Sequence, residues 1–145
     1  TGLEISPAMI RMAEKNSQNY DLSDRATYQE GNALSMPFVD NSFDRAFSNG
    51  SLHEWEDPGR VFSEIYRVLK PGGACSVSDL RRDLSPEIYQ FMLDSCQGPE
   101  IKKGFQTSVQ AAYTKDEVEV LLQDIGFTWV QVIAHPYGLV VMGKK

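Results

Sequence analysis

Three short clusters combine residue types that could hold a bound group. Glu4 stands immediately before Ser6-Pro7, in which Ser suits a helix N-cap and Pro the first helical position. An acidic side chain at the end of a strand can accept hydrogen bonds from both hydroxyls of a ribose, since ligands of open parallel sheets sit at the carboxyl ends of strands. Equally, it can be a carboxylate placed against a helix dipole, worth roughly 0.3–1 kcal/mol. Asn32-Ala33 follows a second strand-like run. An amide there can bond a purine edge while Ala leaves room for the ring, or Asn can serve the turn itself. Ser48-Asn49-Gly50 closes a third run, and a small residue, an amide and a glycine let a ligand approach the backbone or simply make a turn.

The elements that must position these clusters follow from apolar spacing. Ile5, Met9, Met12 and Ala13 recur at helical intervals, which predicts a helix over 6–20. Residues 26–30 suit a short strand, the Gly/Asn/Pro/Asp-rich stretch after them a loop, and 43–48 a strand. In that strand Arg45 fits best near the start, where its stem packs and its head reaches water. Asp57-Pro58 opens a helix whose buried stripe is Val61, Phe62, Ile65, Val68 and Leu69, and Lys70-Pro-Gly-Gly73 stops it before a strand over 74–80. Strand, helix, turn, strand implies a parallel sheet with a right-handed crossover. Ser85-Pro86 starts another helix, residues 100–112 read as weakly helical, and Thr114 to Glu117 forms a capping box. Two final strands, joined through His135-Pro-Tyr-Gly138, suit an antiparallel hairpin.

The bulk properties bound the class. At 145 residues the chain is one domain by length, able to bury roughly 70% of its unfolded surface. Apolar residues make up 41% and charged residues 23%, with a net charge of −6. That sign argues against a broad nucleic-acid footprint or an anionic membrane surface, and no run is apolar enough to span a bilayer. The basic pairs Arg81-Arg82 and Lys102-Lys103 read as solvated charges. Cys75 and Cys96 are too few and too far apart for a disulfide framework or a zinc site, which points to a reducing, cytoplasmic setting, with Cys75 a core residue and no metal expected.

The order and spacing of residues 2–10, 31–55, 57–79 and 113–127 resemble class I S-adenosylmethionine-dependent methyltransferases of the small-molecule type, similar to the ubiquinone/menaquinone-biosynthesis branch. The resemblance implies an α/β, Rossmann-like sheet, mostly parallel with a C-terminal antiparallel hairpin. It implies S-adenosylmethionine as cofactor and S-adenosylhomocysteine as product. Glu4 then matches the ribose acid, Ile5 packs on adenine, and Asn32 stands where the family usually has Asp, so that its carbonyl can accept but its charge is absent. Ala33 lines the adenine site, while Ser48, Asn49 and Gly50 flank the methionine portion. Leu52, His53 and Trp55 face the substrate side. His53 is the candidate general base, if it does not merely shape the pocket, because imidazole exchanges protons near neutral pH; His135 reads as a surface turn residue.

The family also opens with a strand and a glycine-rich loop, Asp-x-Gly-x-Gly-x-Gly, for which this chain has no counterpart. The expectation is therefore an N-terminally truncated methyltransferase domain over 1–145, with impaired cofactor binding and with 81–113 as a helical cover over the substrate. Tyr89, Phe91, Met92 and Phe105 are available to line that cover or to form its own core. The expected partner is a small molecule, not nucleic acid or membrane, with a strand-sharing homo-oligomer as a further possibility. Two other readings stand beside methyl transfer: a dinucleotide-binding Rossmann domain, and a catalytically silent module that pairs with another chain.

Overall fold

Capping side chains start the helices where the sequence placed them. In the computed structural model, which describes residues 1–145, α1 (Pro7–Asn19) begins with the Ser6 hydroxyl accepting from the Met9 amide. α2 (Pro58–Val68) begins with Asp57 accepting from the Arg60 amide at 2.9 Å. α3 (Pro86–Ser95) uses Ser85 in the same way, and α4 (Pro99–Ala111) follows a glycine cap. α5 (Lys115–Leu122) carries the full capping box, with the Thr114 amide donating to Glu117 Oε2 at 2.8 Å and the Glu117 amide donating back to the Thr114 hydroxyl at 3.3 Å. Each capping side chain satisfies a donor that the helix terminus would otherwise leave unpaired, while Gly98 makes no such bond.

The chain divides into two compact units, Thr1–Val39 and Asp40–Lys145. The first is a βαβ unit in which β1 (Gly2–Glu4) and β2 (Tyr28–Glu30) flank α1 and pair in parallel, Glu4 beside Glu30. No apolar side chain in it is buried. Its one buried residue is Ser17, hydrogen-bonded to the Tyr28 hydroxyl. Ile5, Met9 and Met12, the stripe at helical spacing, are 64%, 55% and 54% exposed.

The second unit holds the core. Its sheet runs in the order β3 (Phe43–Asn49), β4 (Leu69–Asp79), β6 (Gly138–Lys144), β5 (Trp129–His135). β3 and β4 are parallel across the α2 crossover, and β5–β6 is an antiparallel hairpin whose second strand also pairs antiparallel with β4. This is the mixed Rossmann-like arrangement expected from sequence. Val61, Phe62, Ile65 and Val68 of α2 are buried, as are Val77 of β4, Val118 and Leu122 of α5, and Val132 and Val141 of the hairpin. Cys75 is buried in β4 as expected, and burial pushes its thiol up to about 11.

Two details differ from the sequence reading. Lys70 to Gly73 do not separate α2 from a later strand; they form a bulge inside β4, where pairing jumps from Phe43–Leu69 to Arg45–Ala74. β3 is the end strand of its sheet, so Arg45 reaches water from mid-strand and Phe47 is 86% exposed. No helix is long and apolar enough to cross a membrane.

Candidate active site

In the first unit the tips of β1 and β2 lie side by side, because the parallel register ends at Glu4 and Glu30 and is extended by the Gly31 amide donating to the Glu4 carbonyl at 3.0 Å. Glu4 Oε1 accepts from the Ser6 amide at 2.8 Å, which leaves its other oxygen for a further donor. Ile5 next to it presents an open apolar surface. Asn32 is exposed and Ala33 half-buried. Asn32 Oδ1 accepts from the Leu34 amide at 2.9 Å, an Asx turn that holds the loop and occupies one lone pair of the carbonyl.

In the second unit, β3 ends at Ser48 and Asn49. The Ser78 hydroxyl of β4 donates to Asn49 Oδ1 at 2.7 Å, and the Gly50 amide donates to the Ser78 carbonyl at 2.8 Å. Gly50 has a φ of +71°, a conformation that favours glycine, and the space where a Cβ would project is empty. The chain then makes a single 3-10 turn, Leu52–Glu54. Leu52 is 1% exposed and anchors this turn in the core, so it offers no surface to a substrate. Trp55 packs edge-on against Phe62, ring centroids 5.5 Å apart.

The turn delivers His53 to the tip of β4. Its imidazole Nδ1 lies 2.9 Å from Asp79 Oδ2 and 3.0 Å from Oδ1, and its backbone amide donates to Oδ2 at 2.8 Å. The Leu80 amide donates to Asp79 Oδ1 at 2.7 Å. The Asp79 side chain is 1% exposed and that of His53 10%. A desolvated carboxylate needs this many donors. Because Asp79 can only accept when ionised, the network assigns the imidazole proton to Nδ1 and leaves the lone pair on Nε2. Gly138 makes the tip compact: a Cβ there would lie 2.3 Å from the Asp79 carbonyl oxygen. Sequence reasoning singled out His53 and passed over Asp79, although the rule that found Glu4, an acid closing an apolar strand, applies equally to Ser76-Val-Ser-Asp79.

The segment after β4 is tied at its neck. Arg81 bonds Asp83 and the His135 carbonyl, while Arg82 bonds the Ala112 carbonyl and the Glu117 carboxylate. The solvated reading of this basic pair thus gives way to an ion-paired clamp. Between these anchors α4 packs against the His53 turn. Tyr89 and Phe105 meet between α3 and α4 at 5.5 Å, whereas Phe91 is exposed, with its ring 6.3 Å from that of Tyr137.

Comparison with known proteins bears on the family and the fold. A family model described as a methyltransferase domain matches residues 1–77. The chain is 30% identical to the 27-O-demethylrifamycin SV methyltransferase of Amycolatopsis mediterranei over 87% of its length and 44% of the relative's. It is 29% identical to the demethylmenaquinone methyltransferase of Listeria welshimeri over 95% of its length and 63% of that protein's. Among solved structures, a SAM-dependent methyltransferase from Aquifex aeolicus shares the fold at a TM-score of 0.73 and 20% identity, covering 98% of this chain and 66% of that one. The chain spans about half the length of the curated relatives it matches. With more than half of its residues under the family model, the chain belongs to the methyltransferase-domain family, and its fold is that of the Rossmann-like S-adenosylmethionine-dependent methyltransferases.

Proposed function

We propose that this chain takes part in methyl transfer from S-adenosylmethionine to a small-molecule acceptor, with His53 as the general base. The observation that carries the reading is the buried His53–Asp79 pair at the tip of β4, beside the Asn49–Gly50 strand end. When bound, the cofactor would supply an activated methyl group, whose carbon would bond to the acceptor as its bond to sulfur breaks in line and S-adenosylhomocysteine leaves. The residues present, each unit taken by itself, fit it in part: within the first unit Glu4 keeps an oxygen for a ribose hydroxyl and Ile5 an open face for adenine, and within the second Gly50 leaves open space at the backbone. His53 Nε2 takes the proton from the acceptor as its oxygen or carbon attacks. Asp79 is a positioning residue that fixes the imidazole tautomer and stabilises the imidazolium that forms. The α3–α4 segment, clamped by Arg81 and Arg82 and resting on the His53 turn, covers the acceptor. The relatives named for 27-O-demethylrifamycin SV and demethylmenaquinone support a small organic acceptor.

Binding by these 145 residues alone is weak in this reading. Asn32 brings no charge, its carbonyl already takes the Leu34 amide, and the Asn49 carbonyl already takes Ser78. Titration with S-adenosylhomocysteine, followed by calorimetry and by amide NMR shifts, tests both parts. The expected result is millimolar-range binding, with shifts at residues 4–5 and 32–33 that Glu4→Ala abolishes. Low-micromolar binding would overturn the weak-binding part, and shifts confined to other surfaces would overturn the site.

A further inference from the structure

Four strands have an unpaired edge within their sheets: β1 and β2 in the first unit, β3 and β5 in the second. Natural proteins guard such edges by keeping them short, by charging them or by breaking them with bulges. Three of the four are guarded. β1 and β2 are three residues long and carry Glu4 and Glu30. β3 carries Asp44 and Arg45 on its strand.

β5 has none of these devices. It is seven residues long, contains no proline, and pairs with β6 without interruption from Trp129–Lys144 to His135–Gly138. No Asp, Glu, Lys or Arg occurs anywhere in 127–143, although charged residues make up 23% of the chain. For β6, paired on both sides, that is ordinary. For an edge strand with Trp129 49% and Val130 38% exposed it is not. A cleft of about 430 Å³ runs beside it, lined by Leu122, Phe127, Val130 and Val132, and the charges on its rim, Lys115 and Glu119, neutralise each other at 3.4 Å.

We propose that β5 is the pairing edge for a second copy of this chain, antiparallel about a two-fold axis at Val132, giving one continuous sheet through both molecules. The strand is self-complementary in that register. Val132 meets its own counterpart, Val130 meets Ala134, Gln131 meets Ile133 and Trp129 meets His135, so no like charges are opposed. Charge permits this occupant at β5. Two chains of net charge −6 repel over most of their surface, and this edge is an electroneutral strip through which they can meet. The inference is independent of methyl transfer, because β5 carries no residue assigned to cofactor or acceptor.

Light scattering behind size exclusion, on the whole chain over a dilution series, tests it. The mass is expected to approach twice that of the chain at hundreds of micromolar and to fall towards one chain on dilution. Amide exchange should show β5 protection that rises with concentration. Gln131→Lys with Ala134→Lys charges both faces of the edge at two exposed positions, and should give a monomer with an unchanged far-UV spectrum and no concentration-dependent protection. Gln131→Lys alone should weaken the dimer in the same direction. A single-chain mass at every concentration, a dimer that survives both lysines, or concentration-dependent protection on β3 in place of β5 would each overturn the proposal.

Discussion

Asp79 accepts four contacts of 3.0 Å or less from His53 and Leu80 while almost wholly removed from water. The consequence lies at the other end of the imidazole. A carboxylate beside Nδ1 keeps the proton there and the lone pair on Nε2, whereas an amide can donate and reverse the tautomer. In the methyl-transfer reading, Asp79→Asn should therefore lower turnover roughly 10²–10⁴-fold, as removal of general-base catalysis does, with His53→Ala giving a loss of similar size. Neither change touches Glu4, Asn32 or Gly50, so the affinity for S-adenosylhomocysteine should stay unchanged in the same preparations. Turnover that survives either substitution would remove His53 from the reaction and leave the pair as a structural brace for the Leu52–Glu54 turn. Asp79 was hard to read in the sequence because its partner lies 26 residues away. Local spacing reports which residues share an element's face and says little about which strand tip receives a side chain from a different loop.

Elements with local chemistry were the legible ones. The Ser-Pro and Asp-Pro starts, the Thr114–Glu117 box and the neutral hairpin all form from contacts a few residues apart, and the structure places them within one or two residues of expectation. The capping box also sets a stability prediction. Thr114→Ala should cost about 1 kcal/mol by denaturant unfolding, since one helix-terminal donor loses its acceptor. Glu117 is held below the ordinary carboxylate range, first by the Thr114 backbone amide and then by Arg82. A folded-state value lowered in this way contributes stability that is fully present above the ordinary glutamate value and is lost as pH falls through the lowered one. The melting temperature should therefore drop across that acidic window, and Glu117→Ala should flatten this part of the profile. Deeper in the unit, Phe62 is fully buried against Trp55, and Phe62→Ala should cost about 3–5 kcal/mol. In a Trp129→Phe background the same variant should shift the Trp55 emission. The Lys70–Gly73 bulge and the edge position of β3 were not legible, because register and strand order are settled by pairing partners far along the chain.

At the scale of the molecule the apolar core is entirely on one side of the division: every buried hydrophobic residue lies between Leu52 and Val141. The α1 stripe was legible as apolar, but periodicity marks a face without saying what covers it, and within Thr1–Val39 nothing does. A βαβ unit with two three-residue strands and no buried apolar side chain gains little from hydrophobic burial to set against its ordering entropy. Local opening free energies should therefore differ sharply along the chain. Amides of β1, α1 and β2 are expected to exchange by low-energy opening, and those of α2, β4 and β6 near the global limit. The proposed ribose and adenine contacts sit in the weaker unit, which makes ligand protection diagnostic. A ligand that binds only the folded form stabilises it by RT ln(1 + [L]/Kd), about 1.4 kcal/mol at ten times its dissociation constant. Saturating S-adenosylhomocysteine should consequently slow exchange throughout β1 and β2, and Glu4→Ala should remove that gain while leaving the exchange of α2 and β6 unaltered. Protection that appears only at Asn49, Gly50 and Ser51 would mean that the cofactor is held without Glu4. The strand-tip acid would then be only the carboxylate that accepts the Ser6 amide at the start of α1.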